Sequence, residues 1–528
     1  MATSVPETPS KPDQYDEKVE LEETPASNGL RDDGKYELQE SDAWEVLGYS
    51  FPTWRKWQIL CVVFLIQISM NLNASMYANA KEGIVHKFGV SKQQANVPQM
   101  MFLVAYAFGC ELWAPWSEEF GRWPIQQASL FLVNIWQIPC ALAPNYGTYV
   151  VCRFLGGLST AGGSVTLGVL ADMWEPDEQE YAVAFLVLSS VGGSVVGAIV
   201  GAFVQANKSL PWLFWTQLIV GGAVQLIHLV LNPETRATIL LDREAKKRRK
   251  NGETNIYGPS ELRKKISAKE VWTIFYRPFY MFFTEPIVLW LSLLSGFSDA
   301  LIFTFLESFQ LVYKQWGFGT IGIGLAFIPL LIGYIISYLS YLPSIHRFRN
   351  IRRKTPGKLK PEARLWWLLY LAPLEAIGLF GFAWTSLGPT HSIPWIAPML
   401  FSTLVGIANY AIYQSSIDYM TASYGPYAAS ATGGNDLARD FLAGIAALYA
   451  GPMYENIPGR PLEYATTVLA CVAVVVTVPI YVFYREGPRI REKSRFAQSL
   501  DQGRAEREAK RRESMVVKGS SSEHKERV

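Results

Sequence analysis

Long apolar stretches recur along this chain, separated by shorter polar segments. An α-helix needs roughly 20 apolar residues to cross a hydrocarbon core about 30 Å thick, and twelve such stretches run between Trp57 and Tyr484. Continuous apolar runs do not fit β-barrel strands, in which apolar and polar residues alternate. The pattern predicts an all-α membrane protein with twelve transmembrane helices, which are numbered spans 1 to 12.

The predicted spans form two groups of six on either side of one long polar loop. Spans 1 to 6 are predicted at residues 57–77, 97–116, 125–145, 148–172, 181–204 and 212–232. Spans 7 to 12 are predicted at residues 287–309, 319–342, 365–385, 394–420, 430–452 and 463–484. The sequence therefore predicts two six-helix bundles, at 51–232 and 287–484, joined by the loop 233–286.

The polar segments indicate how the chain is oriented. Residues 1–50 are acidic and rich in Ser, Pro and Glu, which is typical of a disordered tail. Twelve Lys and Arg residues lie in loop 233–286, eight in 343–364 and thirteen in the tail 485–528, against six in the loops on the other side. Because cytoplasmic loops carry the excess of Lys and Arg, both termini and the central loop are predicted to be cytoplasmic. No cleavable signal peptide precedes span 1, so this span is expected to target the chain.

Composition excludes several classes of protein. Only 18% of the residues are charged, below the roughly 25% of soluble domains. The five cysteines lie on different apolar segments and the five histidines at loops and span ends, so no disulfide or metal site is predicted. No P-loop is present, which argues against an ATP-driven pump. The basic run 246–250 could bind lipid or nucleic acid, but a role in fixing topology is favoured. We therefore expect no enzyme activity, no cofactor and no nucleic-acid partner.

Charged residues inside the apolar spans are the strongest functional signal. Each costs about 3 kcal/mol at the bilayer centre, so function is the default hypothesis and pairing between helices is the alternative. The set comprises Glu111, Arg153, Asp299, Glu307, Glu375, Asp418, Asp436, Arg439 and Asp440. A buried carboxyl group exchanges its proton nearer to neutral pH than in water, as a proton-coupled step requires. Glu111, Asp299 and Glu307 are therefore candidates for proton coupling.

The turn between spans 2 and 3 carries a recognisable motif. Residues 114–124 read APWSEEFGRWP, in which Gly121 suits a tight turn and Glu118 and Arg122 can pair across helix ends. This segment resembles the loop motif of the major facilitator superfamily, most closely that of the fungal drug:proton antiporters with twelve spans. Ala114 and Trp123 stand where that motif has Gly and Arg, so a thinner charge relay is expected.

Four further segments support the same resemblance, in the order that the family has them. They are RFLGG at 153–157, ADMW at 171–174, PEARL at 361–365 and the stretch 424–439. The resemblance implies the major facilitator fold. In that fold, two six-helix bundles are related by a pseudo-two-fold axis, and the substrate site lies between them and opens to each side in turn.

The resemblance also implies roles for individual residues. Arg153 matches the span 4 arginine that the family associates with proton transfer. The implied cytoplasmic gate comprises Glu118, Gly121, Arg122, Asp172, Asp418 and Arg439. Glu375 lies in span 9, which faces away from the cavity in this family, so a structural pair is expected for it.

Gly193, Gly197 and Gly201 lie on one face of span 5 and allow close helix approach. They resemble the family's antiporter motif, but Ala198 occupies the place of its proline. Tight packing without any directional meaning is an equal alternative, and the direction of transport stays open.

Two polar stripes are candidates for the lining of a substrate cavity. Gln67, Asn71 and Ser75 recur at four-residue spacing in span 1, and Asn409 and Tyr413 do the same in span 10. The first helix of each three-helix repeat lines the cavity in this family, which favours this interpretation. Hydrogen bonding between helices explains the same pattern equally well.

Together these features predict a secondary transporter. The favoured function is proton-coupled export of amphipathic organic molecules, such as drugs, secondary metabolites or polyamines. Proton-driven uptake or facilitated diffusion is the first alternative, and a non-transporting membrane sensor is the second. We expect a monomer in the plasma membrane, with the vacuolar membrane as the alternative.

Overall fold

The computed structural model describes residues 35–175, 178–262, 268–355, 359–494 and 496–497, and nearly all of them are helical. The predicted disordered tail up to residue 34 lies outside the described residues. The end of the molecule that carries both ends of the described chain and the central loop is called the basic end, and the other is called the opposite end.

The first six spans are helices of unequal regularity. Span 1 is Thr53–Ser75, continued by a 3₁₀ turn at Met76–Ala80 and a short helix at Lys81–Phe88. Spans 2, 5 and 6 are continuous, at Lys92–Glu119, Glu180–Asn207 and Pro211–Leu231. Spans 3 and 4 are each broken, at Arg122–Ile135 with Gln137–Ala141, and at Tyr146–Leu158 with Gly162–Ala171.

The last six spans are broken at other positions. Spans 7, 10, 11 and 12 are continuous, at Pro286–Lys314, Ile396–Tyr424, Ala428–Asn456 and Pro461–Lys493. Span 8 comprises Thr320–Leu325 and Ile328–Lys354, and span 9 comprises Trp366–Leu371 and Pro373–Thr385 after a 3₁₀ turn at Pro361–Leu365. Further 3₁₀ turns lie at Pro389–His391 and Gly425–Tyr427.

Within the described residues, nine helical segments are long and apolar enough to cross a membrane. The three predicted spans outside this set are spans 3, 4 and 11. Span 3 is interrupted at Trp136, and span 4 at residues 159–161. Span 11 is a single helix but contains Asp436, Arg439 and Asp440, which lower its hydropathy.

The central loop is largely helical, with segments Ala237–Lys250, Pro259–Leu262 and Ala268–Thr284. The end of the N-terminal tail packs on it through 3₁₀ turns at Glu40–Asp42, Trp44–Val46 and Gly48–Ser50. Leu38 and Leu47 form an apolar cluster with Leu241 and Ala245. Strand Tyr36–Glu37 pairs in parallel with strand Ile256–Tyr257. The prediction of disorder up to residue 50 is therefore wrong for residues 35–50, because apolar side chains in the acidic tail bind the loop helix.

The glycine face of span 5 packs directly on the polar stripe of span 1. A Cβ atom on Gly197 would lie 2.0 Å from Ser75 Oγ and 2.9 Å from Leu72 Cα. A Cβ atom on Gly193 would lie 2.7 Å from Asn71 Cβ, and one on Gly201 would lie 2.3 Å from Asn79 Oδ1. The glycine face of span 5 and the polar stripe of span 1 therefore form one interface between two helices.

The two halves of the chain meet along a surface that we call the seam. Span 2 runs against span 11, and span 5 runs against spans 8 and 10. Glycines again allow the closest approaches, since a Cβ on Gly444 of span 11 would lie 3.0 Å from Val104 of span 2. Across the other contact, the Tyr410 hydroxyl donates a 2.8 Å hydrogen bond to the Ala184 carbonyl.

Substitution of Gly197 by a larger residue should lower the stability of the protein, because span 5 packs closely on span 1. Gly197→Ala places a methyl group against backbone atoms of span 1, and overpacking of this kind costs about 1–3 kcal/mol. We expect a lower melting temperature for the purified protein in detergent. The matched control is Gly222→Ala in span 6, where a Cβ meets no atom within 4 Å. Equal melting temperatures for the two variants would contradict the tight packing.

Candidate functional site

Arg122 organises one charged cluster at the basic end of the first bundle. Its Nε donates to Asp172 Oδ2 at 3.0 Å, and its Nη1 donates to Ser117 Oγ at 2.6 Å. Glu118 lies 4.0 Å from the Arg122 guanidinium. The structure thus brings together four of the predicted gate residues, since Gly121 forms the adjoining turn.

Gly121 adopts a φ of +101°, which favours glycine. A Cβ atom there would lie 2.3 Å from Glu234 Oε2. Glu234 accepts hydrogen bonds from the Arg122 and Trp123 amides at 2.9 and 3.2 Å, which satisfies the N-terminus of span 3. The sequence reading missed Glu234; the available signal was an acidic residue after Pro233 at the end of span 6.

A second cluster at the basic end crosses the seam. Glu180, at the start of span 5, is only 4% exposed and contacts Arg352 at 2.6 Å and Arg364 at 3.4 Å. Both arginines belong to the second half of the chain. Glu180, Arg352 and Arg364 are called the basic-end lock, and they form the most buried ion pairs described between the halves. Arg364 belongs to the PEARL segment 361–365, but the sequence did not indicate that it pairs with Glu180.

Asp418 joins the basic-end lock from span 10. It accepts hydrogen bonds from the Tyr341 hydroxyl and from Gln414 Nε2, and Arg364 lies 3.9 Å away. Its predicted place at this end agrees with these contacts. Glu178 and Arg349 form a more exposed pair across the same contact, at 2.8 Å.

Ion pairs also cross the seam at the opposite end. Glu307 of span 7 pairs with Lys81, which follows span 1, and Lys92 pairs with Glu455 at 2.8 Å. Glu307 was predicted to carry a coupling proton. The structure places it about two turns before the end of span 7, against a lysine, where the pair can close this end of the seam.

Arg439 lies in the interior and not at the gate where it was predicted. Arg439 is about three turns into span 11. It contacts Asp299 at 3.1 Å and Asp436 at 3.8 Å. Its guanidinium carbon lies 3.6 Å from the centre of the Tyr413 ring, and the Tyr413 hydroxyl donates to Asp436 Oδ1 at 3.1 Å. Arg439 is therefore the cation partner of Asp299, and it lies eleven residues after the start of span 11.

Glu375 belongs to a separate polar chain inside the second bundle. It is fully buried and accepts a hydrogen bond from Ser298 of span 7, while Asn409 donates to Ser298 Oγ at 3.0 Å. Glu375 Oε2 has no hydrogen-bond partner among the described residues. Glu375 therefore has a hydrogen-bond partner on a neighbouring helix, as expected for a structural role. That partner, Ser298, lies on span 7 directly before Asp299.

Arg153 is enclosed by aromatic rings and backbone. Its Nη1 donates to the Asn73 carbonyl at 2.9 Å, and its guanidinium carbon lies 4.0 Å from the Phe102 ring centre and 4.9 Å from that of Tyr77. The side chain is 1% exposed, and Nε and Nη2 have no hydrogen-bond partner among the described residues. No carboxylate contacts Arg153 among the described ion pairs, so its expected part in proton transfer stays a prediction.

Glu111 lies on the seam, where span 2 meets span 11. It is 4% exposed, and a Cβ atom on Gly433 would lie 2.5 Å from its Oε1. Oε1 has no hydrogen-bond partner among the described residues. A carboxyl group thus occupies the space that a glycine leaves on the facing bundle.

The predicted cavity residues are buried between helices. Asn71 and Ser75 face the glycines of span 5 and donate hydrogen bonds to carbonyls within span 1, at 3.0 Å to Gln67 and 3.3 Å to Asn71. Asn409 and Tyr413 belong to the polar networks of the second bundle. The helical spacing correctly placed each set on one face, but in this structure those faces meet neighbouring helices and not an open cavity.

A cavity of about 300 Å³ lies towards the opposite end, between spans 1, 5, 7 and 8. Its polar lining residues are Asn79, Glu82, Gln205, Gln310, Lys314 and Thr320. Phe318 and Phe327 add aromatic surface. The wall is therefore amphipathic, but none of the residues predicted from the sequence contributes to it.

Two bundles of long apolar helices, closed against each other by charged residues, are the architecture of a membrane transporter. The sequence model of the Major Facilitator Superfamily matches residues 63–448. The chain belongs to this superfamily and has its fold. Among solved structures, the human organic anion transporter MFSD10 is 15% identical, with 81% of this chain and 100% of that chain covered and a TM-score of 0.49.

Several fungal transporters are similar over most of the chain. The transporter paaT of Penicillium rubens is 31% identical over 453 residues, covering 85% of this chain and 82% of the relative. The efflux pump atB of Aspergillus terreus is 33% identical over 73% of this chain and 81% of its own length. The multidrug transporter FLU1 of Candida albicans is 29% identical over 86% of this chain and 74% of its own length.

Removal of the Glu180 charge should weaken the basic-end lock. Glu180→Gln removes the negative charge that faces Arg352 and Arg364, and loss of one partner of a buried ion pair costs about 3–5 kcal/mol. We expect a lower melting temperature and faster labelling of cysteines introduced on the seam. The matched control is Glu178→Gln, whose more exposed ion pair contributes about 0–1 kcal/mol. If both variants behaved alike, Glu180 would have no special role in closure.

Proposed function

We propose that this transporter exports amphipathic organic molecules in exchange for protons. Drugs, secondary metabolites and polyamines are the substrate classes that fit this proposal. Two of the similar fungal proteins, an efflux pump and a multidrug transporter, support export. The protein would act as a monomer in the plasma membrane, or alternatively the vacuolar membrane, with the basic end and both termini in the cytoplasm.

The observation that carries the proposal is the carboxyl group of Glu111 at the seam. No cation contacts it among the described ion pairs, and its Oε1 lies where a Cβ atom on Gly433 would be. An ionised carboxylate in such a place is disfavoured, because Oε1 is buried away from water and has gained no hydrogen-bond partner. Closure of the seam therefore favours a protonated Glu111, and opening to water favours release of the proton. Protonation and conformation are coupled in this way.

The other candidates have different roles in this mechanism. Asp299 is held by Arg439, so protonation of Asp299 would release Arg439 to Asp436. This cluster can rearrange charge inside the second bundle without moving a net charge through hydrocarbon. Arg153 presents unpartnered donors to the interior of the first bundle, where an anionic or strongly accepting group of the substrate would be stabilised.

The ion pairs at the two ends supply the alternation of access. Glu180 with Arg352 and Arg364 closes the basic end, and Lys81 with Glu307 closes the opposite end. If one set opens while the other holds, the space between the bundles faces one side at a time. Antiport further requires that substrate and proton disfavour each other's binding, and this effect is necessarily reciprocal.

Proton-driven uptake or facilitated diffusion is the second candidate. It is favoured by Ala198, which stands in span 5 where the antiporter motif has proline. Without that proline the helix runs unbroken from Glu180 to Asn207. The direction of transport therefore has to come from measurement.

Inside-out vesicles with an acidic lumen test the direction and the coupling together. Rhodamine 6G and spermidine serve as probes of the amphipathic and polyamine classes. We expect at least one probe to accumulate only while the proton gradient is maintained. Movement that ignores the gradient would exclude proton coupling, and accumulation only with the opposite gradient would indicate uptake. No movement of any probe would favour a sensor.

Glu111→Gln should separate proton coupling from substrate movement. The amide cannot exchange a proton, so gradient-driven accumulation should be lost while exchange of labelled for unlabelled probe across the vesicle membrane continues. Glu307→Gln is the matched control, because its carboxylate is paired with Lys81. We expect it to change the rate but to keep the dependence on the gradient. The reverse result would assign the coupling proton to Glu307.

A further inference from the structure

The helix Ala268–Thr284 carries an aromatic face that stays largely exposed, although Phe496 contacts the Tyr280 ring with centroids 6.2 Å apart. Trp272, Tyr276, Tyr280 and Phe283 follow one another at spacings of four, four and three residues, so they share one side of the helix. Trp272 is 64% and Phe283 is 75% exposed. Four large aromatic side chains on one face are far more than a water-exposed loop helix requires.

The other side of this helix is packed against both bundles. Phe279 stacks on Phe108 of span 2, with ring centroids 5.9 Å apart and an interplanar angle of 18°. A Cβ atom on Gly434 of span 11 would lie 3.2 Å from the Pro278 carbonyl. Met281 is fully buried. The helix therefore bridges the seam at the basic end, next to the contact between spans 2 and 11.

The position of the helix indicates that its aromatic face lies at the membrane surface. Only Glu285 separates it from Pro286, the first residue of span 7, so the helix lies where that span enters the bilayer. The Tyr424 hydroxyl donates to Glu285 at 3.1 Å and holds this junction against span 10. Trp and Tyr are the residues that concentrate at the membrane–water interface. The face is therefore continuous with the lipid-facing surface of the spans.

The charge of the segment indicates which lipid surface it fits. The helix contains Lys269, Glu270 and Arg277, and the three residues Arg263, Lys264 and Lys265 precede it in the sequence. Arg277 lies over the Tyr427 ring at 5.4 Å. Basic residues close in sequence to an aromatic helix favour anionic headgroups, while the rings enter the boundary of the acyl chains.

We propose that helix Ala268–Thr284 binds the anionic lipid surface of the bilayer through Trp272, Tyr276, Tyr280 and Phe283, and that this binding stabilises the closed seam. Lipid that binds the docked helix favours the state in which Phe279 contacts Phe108 and Pro278 contacts Gly434. The helix would thus link lipid composition to opening at the basic end. This inference concerns membrane binding and does not depend on proton coupling.

Quenching by brominated lipids tests the location of the face. In a background with the exposed Cys61 and Cys471 changed to Ser, bimane is attached to Tyr276→Cys or Phe283→Cys in reconstituted full-length protein. The control position is Lys250→Cys, on the exposed side of the loop helix Ala237–Lys250. We expect loss of fluorescence at positions 276 and 283 but not at 250. Quenching no greater than at 250 would overturn the proposal, and would leave water or a protein partner to cover the face.

The link to the seam has its own measurement, which needs no substrate. The melting temperature of the purified protein should rise when anionic lipid is added to neutral mixed micelles. The rise should shrink in the double variant Tyr276→Ser/Phe283→Ser and stay unchanged in Trp290→Ser, an exposed residue of span 7. An equal rise in all three proteins would show that the helix face is not the site at which lipid acts.

Discussion

The cost of a charge without water is the constraint on which this structure depends. In hydrocarbon an ionised group has to find an opposite charge, a hydrogen-bond donor or a proton. Arg439 lies between Asp299 and Asp436, Lys81 meets Glu307, and Glu180 meets two arginines. Apart from the pair of Arg439 with Asp436, which lies within span 11, these contacts join different helices, so the contacts that neutralise the charges also hold the helices together. The fold and the candidate site are therefore products of one requirement.

Close helix approach is what makes these pairings possible. Gly197 brings span 5 onto span 1, and Gly433 leaves space on span 11 for the Glu111 carboxyl group. Lipid tails are as apolar as leucine, so apolar burial alone gives little association between helices in a membrane, and packing of small residues becomes important. The glycines of span 5 consequently shape the interior of the first bundle, and those of span 11 shape the seam.

The exceptions to charge pairing are the places where chemistry is expected. Asp299 and Glu307 have cations, whereas Glu111 and Glu375 have no cation in the described ion pairs, and Arg153 has no carboxylate. Of the two carboxyl groups, only that of Glu111 lies where the two halves of the chain meet. A change in its protonation therefore acts on the contact between the bundles, whereas a change at Glu375 acts within one bundle.

The sequence by itself determined the apolar helices, the basic end, the superfamily and the pairing around Arg122, because these follow from local composition, periodicity or a short motif. Glycines 193, 197 and 201 were correctly placed on one face. Only the tertiary structure decided what each face meets: Asn71 and Ser75 meet those glycines, Arg439 meets Asp299, and Glu180 meets Arg352. Helical periodicity states which residues share a face, but the neighbour of that face depends on helices far away in the chain.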